Sequence, residues 1–94
     1  MATVNNIPEA KEGDLRVWWI DNPPSPGIRI RVSTPEQAIQ ELDRLADRDL
    51  QDVTVWGNAG GLEVFEGGEW CEWYNDEGED IDEYAARLED EAQS

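Results

Sequence analysis

Ninety-four residues make a single domain, with room for one hydrophobic core and not for a second, independent active-site domain. Apolar residues at 38% and charged residues at 32% are globular proportions, but 23 Asp and Glu against 7 Lys and Arg leave a formal charge of −16. Charge of that sign disfavours unassisted contact with nucleic acid or an anionic membrane surface and makes basic proteins the natural partners, although acidity also serves plain solubility or adaptation to salt.

Residues 1–13 are polar, carry Pro8 and Gly13 and follow neither the helical nor the strand period, so they read as a flexible N-terminal arm. They lack the basic flank and apolar run of a secretory leader, and no stretch of the chain reaches the length of a membrane span. One cysteine, Cys71, cannot close an intramolecular disulfide, and without histidine there is no zinc set; the expectation is a reduced, intracellular chain without cofactor or metal.

Leu15 to Ile20 is a short apolar run with bulk on both faces, the pattern of a central strand. Three prolines between Asp21 and Gly27 fix φ and lack amide donors, which makes that segment an extended loop. Ile28, Ile30 and Val32 alternate with Arg29 and Arg31 as in a half-buried strand. The two arginines are candidate counterions for Glu63 and Glu72, or a clasp for an anionic ligand.

Thr34 can cap a helix that has Pro35 at its first position and Gln37 three residues after the cap. Ala38, Ile39, Leu42, Leu45 and Ala46 keep the helical period to about Asp49, where Asp47 and Asp49 oppose the dipole and predict fraying. Val53 to Trp56 is β-branched or aromatic and predicts another strand, running into Gly57-Asn58-Ala59-Gly60-Gly61. That glycine-rich stretch has no P-loop lysine and no G-x-G-x-x-G spacing, so it reads as a turn or bulge; Trp56 and Asn58 beside it could clamp a flat polar ligand.

Gly67-Gly68 between two alternating runs is a two-residue hairpin turn in which both residues can take positive φ. Counting outward, Glu66 faces Glu69, Phe65 faces Trp70, Val64 faces Cys71, Glu63 faces Glu72 and Leu62 faces Trp73. Leu62, Val64, Cys71 and Trp73 then form a core face. The opposite face carries the Phe65 and Trp70 rings beside two like charges, a conflict that requires a cation nearby. It is either a solvated aromatic contact neutralised by arginines or an acidic aromatic docking surface. Beyond it, Tyr74 to Asp80 is a charged turn that fails as a calcium loop, because Trp73 stands where the first oxygen ligand belongs. Asp80 with Glu83 three later opens a second helix through Ile81, Tyr84, Ala85 and Leu88, and residues 92–94 fray.

These elements predict one α+β domain over residues 14–91, an antiparallel or mixed sheet of about five strands with two helices packed on one face. The run Val17-Trp18-Trp19-Ile20, the helix segment Leu42 to Leu50 and above all the block Asn58-Ala59-Gly60-Gly61-Leu62-Glu63-Val64-Phe65-Glu66-Gly67-Gly68-Glu69-Trp70 resemble a group of small acidic accessory proteins of tailed bacteriophages and prophages. The resemblance spans residues 15–83. It implies a phage setting and the cytoplasm of a bacterial host, and it implies no chemistry.

Two functional expectations follow. In the first, the chain binds and neutralises a host defence or regulatory protein that has a basic surface, mimicking nucleic-acid charge with Glu63, Glu66, Glu69 and Glu72 around Phe65 and Trp70. In the second, it sequesters a nucleotide signal, with Trp18, Trp56 and Trp70 stacking the base, Arg16, Arg29 and Arg31 holding phosphate, and Asn58 beside them. Catalysis is not expected. No histidine is present to act as base, and Cys71 falls on the core face of its strand. Exposed indoles on one sheet face would also suit a homodimer.

Overall fold

The computed structural model describes residues 10–22, 26–55 and 57–93. Strand β1 (Leu15–Asp21) is followed by β2 (Ile28–Val32), helix α1 (Pro35–Leu50), β3 (Asn58–Glu66), β4 (Glu69–Glu72) and helix α2 (Ile81–Ala92). The strands form one antiparallel sheet in the order β2-β1-β3-β4, and both helices pack on one face, so the fold is α+β with four strands.

β1 lies at the centre because its alternation serves both neighbours: Val17 stands opposite Ile30 of β2 and Leu62 of β3. Leu15, Val17 and Trp19 face the helices and meet Ala38 and Leu45 of α1, Ile81 of α2 and Leu62. Val17, Leu45 and Leu62 are wholly buried, each contributing about 1.5–3 kcal/mol by removal from water. Around that centre pack Ile30, Val32, Leu42, Val64, Trp73 and Tyr84. The Tyr84 hydroxyl donates to Glu36 and ties α2 to the first turn of α1.

Both helix starts form as their sequences predict. The Thr34 hydroxyl accepts from the Gln37 N–H at 3.0 Å, and the Gln37 side chain reaches back one residue further than a capping box requires, to the Ser33 N–H at 2.7 Å. Asp80 and Glu83 exchange side-chain bonds to each other's N–H at 2.9 and 3.0 Å, a complete capping box.

Three expectations change. The segment around Val53 is no strand: Asp52 accepts from the Thr54 N–H and hydroxyl in a tight turn, Val53 is fully exposed, and Trp56 lies outside the described residues. Strand propensity there has no partner strand to act on. Asn58 to Gly61, expected as a turn or bulge, is the first half of β3, paired with Trp18 to Asp21. Of the expected arm, residues 11–13 are fastened to the hairpin: the Gly13 N–H donates to the Phe65 carbonyl at 2.8 Å, and Glu12 accepts from the Gly67 N–H at 3.2 Å. Among the described residues no helix is long and apolar enough to cross a membrane.

Candidate functional site

With the helices on one face, the pleat sends Arg16 and Trp18 of β1, Arg29 and Arg31 of β2, Glu63 and Phe65 of β3, and Trp70 and Glu72 of β4 to the other face, where no helix among the described residues covers them. The registers line up Arg31, Arg16, Glu63 and Glu72 in one row across all four strands, basic at the β2 side and acidic at the β4 side.

The centre of this row is tightly bonded. Arg16 Nε donates to Glu63 Oε1 at 2.7 Å, with both side chains only a quarter exposed, and the same guanidinium lies 4.2 Å from the centroid of the Trp70 ring. Arg31 approaches that ring to 5.2 Å and also pairs with Asp14 at 3.2 Å. Phe65 meets Trp70 edge-on, with centroids 5.3 Å apart. The cation demanded by the Glu63 and Glu72 pair is therefore Arg16. Arg29 and Arg31 were the expected counterions, but β1 lies between β2 and the hairpin; Arg29 instead bonds the Pro26 carbonyl at 2.9 Å.

Replacing Arg16 with methionine keeps the apolar stem, removes the cation, and leaves Glu63 facing Glu72 unrelieved. The expected loss is about 1–2 kcal/mol in denaturant unfolding, the sum of a partly buried ion pair and a cation–π contact. Adding Glu63→Gln to that variant should recover part of it.

The pleat also divides both predicted residue sets. Glu63, Phe65, Trp70 and Glu72 share the open face, whereas Glu66 and Glu69 pair with each other on the opposite parity, at the turn end of the hairpin. Arg16, Trp18, Arg29 and Arg31 share the open face, whereas Asn58 turns to the helix side and donates to Asp49 at 3.3 Å. The sheet thus stands between Asn58 and these three arginines. The Cys71 thiol is half-buried and donates weakly to the Glu69 carbonyl; burial, reinforced by the surrounding carboxylates, pushes its pKa up, opposite to what a nucleophile needs.

A second polar cluster has no counterpart in the expectations. Trp19 Nε1 donates to Asp21 at 2.7 Å and to the buried Asp49 at 2.8 Å, while Arg48 reaches both carboxylates, at 3.0 and 3.2 Å. Its signal was in the sequence. Asp49 continues the core stripe Ala38, Leu42, Leu45 at helical spacing, so it faces inward and not into the solvent beyond a frayed end. In the turn after β4, the Asn75 side chain accepts from the N–H groups of Glu77 and Glu79, and Arg87 grips Glu79 at 3.0 Å; these bonds order the acidic loop. Among the described residues, no three acidic or cysteine side chains come close enough to hold a metal ion.

Comparison with family models, with curated proteins and with solved structures finds no match for this chain.

Proposed function

We propose that the chain is a non-catalytic binding protein, of the phage accessory kind its sequence resembles, that docks on and neutralises a basic protein of the host cytoplasm. The observation that carries this reading is the open sheet face, where the Phe65–Trp70 ring pair lies on one side of the Arg16–Glu63–Glu72 row and Trp18 on the other, with Glu63 and Glu72 toward the β4 side. Acidity continues beyond that edge: from Glu72 to Gln93 the sequence holds ten acidic side chains and one arginine. Long-range attraction from that side would steer a basic partner, and desolvation of the rings would hold it. Nucleotide capture is the weaker reading, since Arg16 and Arg31 are already engaged by Glu63, Asp14 and Trp70.

The test is affinity capture from host lysate with wild type and with a Phe65→Ala/Trp70→Ala variant whose fold is checked by circular dichroism. Bound small molecules are extracted in parallel. A protein retained at low salt, released at high salt and lost with the double variant is the expected result. Recovery of a nucleotide with no protein would overturn it.

A further inference from the structure

β4 stops at Glu72, opposite Glu63 and five residues short of Asn58, where β3 begins to pair with β1. The last bond between the hairpin arms runs from the Trp73 N–H to the Leu62 carbonyl at 3.0 Å. Backbone groups two residues apart on a strand point the same way, so Gly60 presents its N–H and carbonyl to the side that β4 has left. α2 begins alongside this open edge. Between them lies a groove of about 250 Å³ lined by the Trp18 indole, Gly60 and Gly61, and by the carboxylates of Glu63, Glu72, Asp80 and Asp82.

The lining is poorly neutralised. Glu63 is held by Arg16, Glu72 accepts from the Tyr74 hydroxyl, and Asp80 spends one oxygen on the helix cap. Asp82 has no bonded partner among the described residues, and burial, with repulsion from Asp80 and Glu72, raises its pKa. The N-terminal dipole of α2 contributes only about half a positive charge against this group. Among the described residues no three carboxylates gather closely enough to hold a metal ion. Four of them around an indole, beside an open strand edge, complement a larger cation carried on an extended backbone.

We propose that this groove receives an extended basic segment of the partner protein, which pairs with the backbone of Gly60 and places an arginine side chain between Trp18 and the carboxylates. The inference rests on the binding role proposed above and gives that surface a specific contact.

The probe is the blocked tripeptide acetyl-Thr-Arg-Thr-N-methylamide, titrated into the ¹⁵N-labelled full chain at low salt. Its control carries citrulline, neutral and of the same shape, in place of arginine. Saturable shifts of the Gly60 and Gly61 amides and of the Trp18 indole N–H are expected with arginine and not with citrulline. A Glu72→Gln/Asp82→Asn variant, which leaves the Asp80 cap intact, should weaken binding about tenfold or more, as two of four facing charges are lost. Equal shifts with citrulline, shifts spread along Glu89 to Glu91, or no effect of the variant would overturn the groove. Because Phe65 and Trp70 lie outside the groove, salt-dependent capture that needs those rings, found together with a silent groove, would leave the docking reading standing and remove only this contact.

Discussion

A methyl group added at Gly60 is expected to destabilise the protein by about 2–3 kcal/mol, the upper part of the range for overpacking a close-packed core. For a domain of this size that lowers Tm by about 10–20 °C. The new Cβ would collide with Cε3 of Trp19, lie 2.8 Å from its Cζ3, and come within 3.1 Å of Leu42 Cδ2. Trp19 cannot swing aside, because its Nε1 is bonded to both Asp21 and Asp49 and its ring is buried under α1. Gly61 supplies the control. A Cβ there would meet Trp18 at 2.7 Å, but Trp18 is half-buried on the open face and can rotate outward, so Gly61→Ala should cost less than about 1 kcal/mol. Thermal melts of the two variants decide the matter; equal losses would mean that the pinned indole is not what resists.

This pair also shows how far the fold was legible. The hairpin register followed from Gly67 and Gly68, which adopt φ of 61° and 86°, because few residues tolerate two successive positive φ values and the turn then sets every pair beyond it. Thr34 and Asp80 were equally readable, since caps are local chemistry. Gly60 and Gly61 suggest a turn because glycine between strands usually marks one, yet both lie inside β3. The adjacent indoles of Trp18 and Trp19 held the missing clue: they leave β1 on opposite faces, and a neighbouring strand can receive both only with two small residues side by side. The pairing of Arg16 with Glu63 is not legible in the sequence, because strand order is a long-range property that local periodicity does not contain. The open face was thus legible as a set of alternating residues, while its division into paired and unpaired charges was not.

Stability is expected to pass through a maximum in mildly acid solution, and Asp21→Asn is expected to flatten the fall toward neutral pH. Asp49 and Asp21 converge on the same Trp19 indole N–H and Arg48 guanidinium, and a hydrogen bond between the two carboxyls couples their titrations. That bond from Asp21, helped by Trp19 and Arg48, holds the Asp49 carboxyl below its ordinary value of 3.8 despite burial. The same bond to Asp49, followed by burial and the charge of Asp49, raises Asp21 above 3.8. A lowered folded pKa gives Asp49 a contribution that is complete above the unfolded value and lost as pH falls through the folded one. A raised folded pKa gives Asp21 the reverse, a contribution complete below 3.8 and lost as pH rises through its folded value. The two steps belong to the pair, and the singly protonated form between them is the most stable. Above the upper step two carboxylates face a single cation, Arg48, with the Trp19 indole N–H and the Asn58 amide as the neutral donors. Asparagine at position 21 keeps an acceptor for Trp19 and an amide donor for Asp49 while removing that second charge, so its Tm should exceed that of wild type at pH 7 and converge with it as pH falls below 3.8. Asp49→Ala should instead lower Tm at every pH, since the buried Trp19 indole N–H loses one of its two acceptors and the Asn58 amide loses the same carboxylate. Many other carboxylates titrate over the same range, so the measurement is the difference between variant and wild-type melting curves from pH 3 to 8. A constant offset between Asp21→Asn and wild type would show that the two carboxyls titrate independently.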